Sequence, residues 1–238
     1  MRGFQFTVSG NWAHFKKPET NNNPLTHDFI TKTALIGMIG AVLGIERNEM
    51  RAKFPIFSED FLYSVSLKKP VKKVSWGFSS RTAINPNKPG SPKYFEFLRN
   101  PEFQISMALR DERSEKEFDR FLNSLKFDES VYTPVLGWHN CPADLEFISE
   151  GVFSKPKSGT FETTSFVKSG DYKPTALTSG EFRIGFEKIP TFQDNEFWND
   201  PELYVTVVYP DFPHSLTLEG LFYEYQSQSN LTEKCWLL

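Results

Sequence analysis

A chain of 238 residues with 39% hydrophobic and 16% aromatic content is long enough and apolar enough to bury a real core. Its two cysteines, Cys141 and Cys235, are far apart and lack CxxC spacing, which excludes a disulfide framework or a zinc site. The net charge of −3 excludes a uniformly basic surface, and no run approaches the roughly 18 apolar residues that span a bilayer, so a reducing, cytoplasmic setting away from membranes is expected.

Phe4-Gln5-Phe6-Thr7-Val8 alternates apolar and polar side chains, which predicts a strand with Phe4, Phe6 and Val8 on its buried face. A polar loop over 10–29 follows. The run from Thr31 to Glu46 reads as a buried helix, with Thr31 or Thr33 able to cap its start and Gly44 near its end. Gly37, Gly40 and Gly44 form one smooth stripe on that helix, and each costs about 1 kcal/mol relative to alanine unless it serves as a cap. Tight packing of the helix against the sheet is the expected return for that cost.

Phe61–Leu67 and Phe103–Leu109 read as the second and third strands. Between them, from Lys68 to Arg99, eight basic residues face one acid, Glu96, a local balance of +7 that leaves −10 for the rest of the chain. Trp76, Phe78, Tyr94 and Phe95 interleave with these cations, and Pro86, Pro89, Gly90 and Pro92 predict an extended, non-helical tip. Flat rings among cations suit unpaired bases and their phosphates. Ser114 to Leu125 carries apolar residues at 118, 121, 122 and 125, the spacing of an amphipathic helix. A turn-rich stretch, Tyr132 to Trp138, leads to a fourth strand at Leu145–Ile148, and further strands are expected at 161–167, 181–186, 203–208 and 218–225.

The order strand, helix, strand, strand, helix, strand predicts an α+β fold: a ferredoxin-like, RNA-recognition-motif-like βαββαβ domain over 1–150. A basic thumb is inserted at about 68–102, and a mainly β region occupies 151–238.

Two motifs at a fixed distance then carry a resemblance. Ala13-His14-Phe15-Lys16-Lys17-Pro18 supplies an A-H-F-x-x-P loop, and Thr33-Ala34-Leu35-Ile36-Gly37-Met38-Ile39-Gly40-Ala41-Val42-Leu43-Gly44 supplies a T-A-L-x-G-x-x-G-A-x-L-G helix. Phe95 to Phe103, and Thr133-Pro134-Val135-Leu136-Gly137 followed by Pro142-Ala143, extend the likeness. The sequence resembles the CRISPR-associated Cas-five family over about residues 4–150, and more loosely beyond. The resemblance implies a structural RNA-binding subunit of a type I CRISPR surveillance (Cascade) complex for antiviral defence, capping the 5′ handle of the crRNA. Its implied partners are Cas-seven-type backbone subunits, a large Cas-eight-type subunit and, through the complex, target DNA.

Candidate RNA contacts are Trp12, His14, Phe15, Lys16, Lys17, Lys32, Trp76, Arg81, Lys88, Lys93 and Arg99. Lys16 and Lys17 are adjacent cations that favour phosphate, and Lys32 opens a helix whose N-terminus attracts anions. His14 can either hydrogen-bond RNA or pack among aromatics. One branch of the family processes precursor crRNA as a metal-independent endoribonuclease, which is the alternative. None of the four histidines here stands next to a lysine, as that branch would suggest, so no catalytic residue is assigned. His27-Asp28 and His139 with Cys141 lack partners at metal spacing, and no metal or cofactor is expected.

Overall fold

The computed structural model describes residues 1–80, 90–175, 182–190 and 204–238. The chain is α+β, mostly antiparallel strands with three α-helices among the described residues. Strand β1 (Arg2–Ser9) is followed by the short β2 (Trp12–Ala13), helices α1 (Lys32–Leu43) and α2 (Arg47–Asp60), and β3 (Phe61–Leu67). Next come β4 (Lys73–Ser80), β5 (Ser91–Arg99) and β6 (Glu102–Leu109), then α3 (Glu115–Phe127) and β7 (Asp144–Phe153). The remainder holds β8 (Lys157–Thr163), β9 (Val167–Lys168), β10 (Lys173–Pro174), β11 (Ile184–Pro190), β12 (Tyr204–Pro210), β13 (Leu216–Ser227) and β14 (Thr232–Cys235). No helix among the described residues is long and apolar enough to cross a membrane.

The main sheet runs in the order β10-β13-β7-β1-β6-β3, with β8 and β14 also paired to β13. β1 lies at its centre, antiparallel to β6 (Phe6 opposite Ile105) and to β7 (Phe6 opposite Phe147). Alternation sends Phe4 and Phe6 to one face, where their rings meet Phe118 (4.9 Å from Phe4) and Phe121 (5.6 Å from Phe6) of α3. That face, together with Ile36, Ile39 and Val42 of α1, forms the core.

The opposite face is also covered. Gln5 points that way, is fully buried, and donates to Ser106 Oγ (3.0 Å) and to Glu233 Oε2 (2.7 Å) of β14. Gln104 on β6 donates to the same Glu233 oxygen at 3.0 Å, so β14 lies across the middle of the sheet. The last residue, Leu238, then exchanges two main-chain hydrogen bonds with Tyr63 of β3.

Helix α1 starts where Thr31 Oγ1 accepts from the Ala34 amide and ends at Gly44, whose φ of 69° is the left-handed conformation that stops a helix. Its glycine stripe does not pack on the sheet as expected. Gly37 is exposed, and a Cβ built there meets nothing within 4 Å; at Gly40 a Cβ would meet only the flexible thioether of Met50. Helix α2 was not foreseen, because Pro55 lies inside it and few of its residues are apolar. Its C-terminal Asp60 is buried and held by Arg113 Nε at 2.9 Å and by Ser114 Oγ.

The strand expected over 161–167 is divided between β8 and β9. The break turns Phe166 into the core, where its ring stacks on Phe29 (5.5 Å) and meets Tyr63 edge-on (5.5 Å).

Candidate nucleic-acid interface

The basic segment between β3 and β6 forms a hairpin. β4 and β5 pair antiparallel, with Trp76 opposite Phe95 and Phe78 opposite Lys93, and β2 joins the other edge of β5, with Trp12 opposite Arg99. Cross-strand partners share a face. Trp12, Val74, Trp76, Phe78, Lys93, Phe95, Phe97 and Arg99 therefore line one side of this small sheet, and Tyr94 and Glu96 lie on the other.

The aromatic side is built by mutual packing. Trp12 and Trp76 meet at 4.5 Å, and Phe97 lies 5.9 Å from Trp76. Phe95 stacks on Trp138 at 5.2 Å with only 6° between the ring planes, and Phe78 meets Trp138 edge-on at 5.8 Å. Trp138 reaches this position because Gly137, at φ 82°, lets the turn approach His14 so closely that a Cβ there would lie 2.2 Å from the His14 carbonyl oxygen. The rings thus fasten the hairpin to the body of the protein, while Trp76 remains 43% exposed and offers a free face. Tyr94, 55% exposed on the reverse side, stands apart, its amide bonded to Asn23 Oδ1 at 3.1 Å.

The sequence-predicted residues separate into three groups. Trp12, Trp76, Lys93 and Arg99 come together on or at the end of the aromatic face. Lys16 is exposed nearby in the loop after β2, its ammonium 3.2 Å from Asn21 Oδ1. His14, Phe15, Lys17 and Lys32 are otherwise engaged. His14 is buried with its Nδ1 2.7 Å from the Glu96 carbonyl oxygen, and burial, with the Lys16 charge adding to it, lowers the imidazole pKa below its usual 6.5. Phe15 is buried against Phe103.

The acid that pairs with Lys17 comes from β11: Glu187 lies 3.0 Å away and also takes His27 Nδ1 at 2.8 Å. Burial works to raise the Glu187 carboxyl, but His27 and Lys17 more than offset it and hold its pKa below the usual carboxylate value. Lys32 is buried rather than presented to a ligand, donating to the Leu238 main-chain oxygen at 3.1 Å; burial, with Arg110 nearby, brings its pKa down to about 8. Arg81 and Lys88 lie outside the described residues.

Two features escaped sequence reasoning. Trp138 is a ring of the same cluster, and its turn motif gave no sign of a partner 43 positions earlier. The neighbouring lysines Lys72 and Lys73 also differ. Lys73 is tied to Asp28 (2.6 Å), Glu96 (3.4 Å) and the Thr26 carbonyl (3.0 Å). Burial is the largest single effect and lowers the Lys73 pKa, but the Asp28 bond and the charges of Asp28, Glu96 and Glu187 together outweigh it and the net shift is upward. Lys72 has no ion pair among the described residues.

Residues 3–195 match the model of the CRISPR-associated protein (Cas_Cas5) family. The chain belongs to this family. No curated protein matches by sequence. Among solved structures, a CRISPR protein from Archaeoglobus fulgidus is similar at 12% identity and TM-score 0.59, covering 99% of this chain and 100% of that one. A chain of a CRISPR RNA-guided surveillance complex is similar at 13% identity and TM-score 0.52, covering 88% and 90%. A chain of the Type III-B Cmr-beta complex bound to cognate target RNA is similar at 8% identity and TM-score 0.51, covering 90% and 86%. At these identities the likeness is one of fold.

Proposed function

We propose that this Cas_Cas5 protein is a non-catalytic subunit of a CRISPR RNA-guided surveillance complex that holds the 5′ handle of the crRNA. The observation that carries the reading is the β4–β5 hairpin, whose aromatic face runs from Lys93 at one end to Arg99 at the other. Cations at the ends neutralise phosphates, and exposed rings between them stack on bases at roughly 1–3 kcal/mol each. The family match and the resemblance of the fold to a surveillance-complex subunit support the same assignment.

The strand order β7-β1-β6-β3, with α1 and α3 on one face, supports reading this part as a ferredoxin-like, RNA-recognition-motif-like domain. Such a domain ordinarily offers its open sheet face to RNA. Here β14 occupies that face, which favours the hairpin as the RNA platform. In this reading residues 1–150 carry the platform and 151–238 complete the sheet and cover it. Engagement of His14 and His27 in buried contacts supports a structural rather than a nucleolytic role. Backbone and large-subunit proteins of the complex are the implied partners.

Fluorescence anisotropy with repeat RNA that carries or lacks the handle tests the proposal, with parallel lanes in EDTA read for cleavage. Tighter binding of handle-bearing RNA, weakening as salt rises and without products, is expected. Equal affinity for the two RNAs, or discrete cleavage, would overturn it.

A further inference from the structure

The two strands of the hairpin converge at a root cavity of about 400 Å³ lined by Lys69, Pro70, Lys72, Arg99 and Asn100. Its walls are fixed by the main chain. The Arg99 amide donates to the Lys72 carbonyl at 2.8 Å, the Asn100 amide to the Asn11 carbonyl at 2.8 Å, and the Lys68 amide to the Glu102 carbonyl at 2.9 Å. Asn100 turns the corner in the left-handed conformation, at φ 49°.

Three cations thus border one rigid concavity, and only Lys69 is neutralised, by Glu102 at 2.8 Å. Lys72 and Arg99 have no ion pair among the described residues, although acids are available close by and Lys73, one position on, takes two of them. The main-chain hydrogen bond makes Lys72 and Arg99 cross-strand neighbours at the mouth of the cavity, so one anion there can be met by both side chains. The planar guanidinium of Arg99 suits the paired oxygens of a phosphate, and the Lys72 ammonium adds a point charge.

Resting on the RNA-binding reading above, we infer that this root cavity is a phosphodiester seat for single-stranded RNA. Arg99 shares its face of β5 with Phe97 and Phe95, and its cross-strand partner is Trp12, which packs on Trp76. A strand whose phosphate is seated between Lys72 and Arg99 is therefore directed along the aromatic face, its next base over the exposed side of Trp76 and its onward path toward Lys93. The seat sets where RNA enters the platform, and the platform supplies stacking.

The salt dependence of binding counts the phosphates neutralised, at about 0.7 in the log–log slope for each on single-stranded RNA. Handle-bearing RNA is titrated at several chloride concentrations against the wild-type chain and the Lys72→Ala/Arg99→Ala variant, with near-ultraviolet circular dichroism reporting that both are folded. A second variant, Lys116→Ala/Lys155→Ala, removes an equal charge outside the cavity.

The expected result is a slope shallower by about 0.7 in the cavity double variant, the worth of the one phosphate it seats, and an unchanged slope in the charge-matched control. An unchanged slope in a folded double variant, with the wild type still binding RNA, overturns the seat and leaves the RNA-binding reading standing. Absence of RNA binding by the wild type overturns both. Inorganic phosphate at fixed ionic strength separates the two sources of the same chemistry: protection of the wild type against thermal unfolding, abolished in the double variant while the RNA slope is unaffected, would assign the cavity to free phosphate and overturn the RNA assignment.

Discussion

At the scale of single residues, His14 illustrates how tertiary structure reassigns a polar side chain. Between Ala13 and Phe15 its sequence setting allows either a ligand contact or a packed ring. In the fold it is closed in by Phe95, Phe97 and Trp138, all within 6.1 Å, and spends its Nδ1 on the Glu96 carbonyl. Because burial holds the folded pKa below 6.5, the unfolded chain binds the proton more readily, and His14's contribution to stability is complete above 6.5 and declines as pH falls below that value. Urea midpoints at pH 7.5 and 5.5 should therefore diverge more for the wild type than for His14→Asn; parallel behaviour would refute the assignment.

The aromatic character of the segment that holds Trp76, Phe78 and Phe95 was legible. The packing of Phe78 and Phe95 against Trp138 was not, since that contact joins segments separated by the whole of β6 and α3. Lys17 makes the same point for charge: Glu19 stands two positions on, yet the partner is Glu187, which enters from a strand 170 positions away.

Among elements, the strands and helices with strong periodicity were legible nearly to their ends. β3 spans the predicted Phe61–Leu67, and α3 begins one residue after Ser114. α2 was illegible for a physical reason, because Pro55 in its interior reads as a stop and its buried side is narrow, with Phe54 and Phe57 buried and Met50 partly so. α1 was read correctly as a buried helix, but its glycines were credited with a packing role that Gly37 does not perform. Because a Cβ at Gly37 meets nothing, Gly37→Ala should recover the helix-propensity cost, stabilising the chain by about 1 kcal/mol and raising Tm by about 2–4 °C in a thermal melt. A neutral or destabilising result would mean that the backbone there is not the ordinary helix described.

For the molecule as a whole, alternation along β1 identified which face is apolar but not what covers the other. Gln5, Gln104 and Ser106 look like the solvent side of a half-exposed sheet, yet Gln5 is fully buried and Gln104 nearly so. What closes this face is Glu233, far away in sequence, accepting from both glutamines. Glu233→Ala leaves two amide groups without their charged acceptor and should cost about 2 kcal/mol in urea unfolding. A change within a few tenths would indicate that the glutamines find other partners.

The same crossing strand imposes an order in time. The β4–β5 hairpin joins neighbours in sequence, whereas β1 acquires its second partner only at Asp144–Phe153 and its cover only at Thr232–Cys235. Loop closure makes the local pairing the faster event, so on a growing polypeptide the cationic arm can form while the sheet beneath it is still incomplete. An arm without its scaffold has charge but lacks the fixed geometry that aligns rings with a strand. Under the proposed RNA-binding role, selectivity would then be a property gained late, when β14 is laid down across β1.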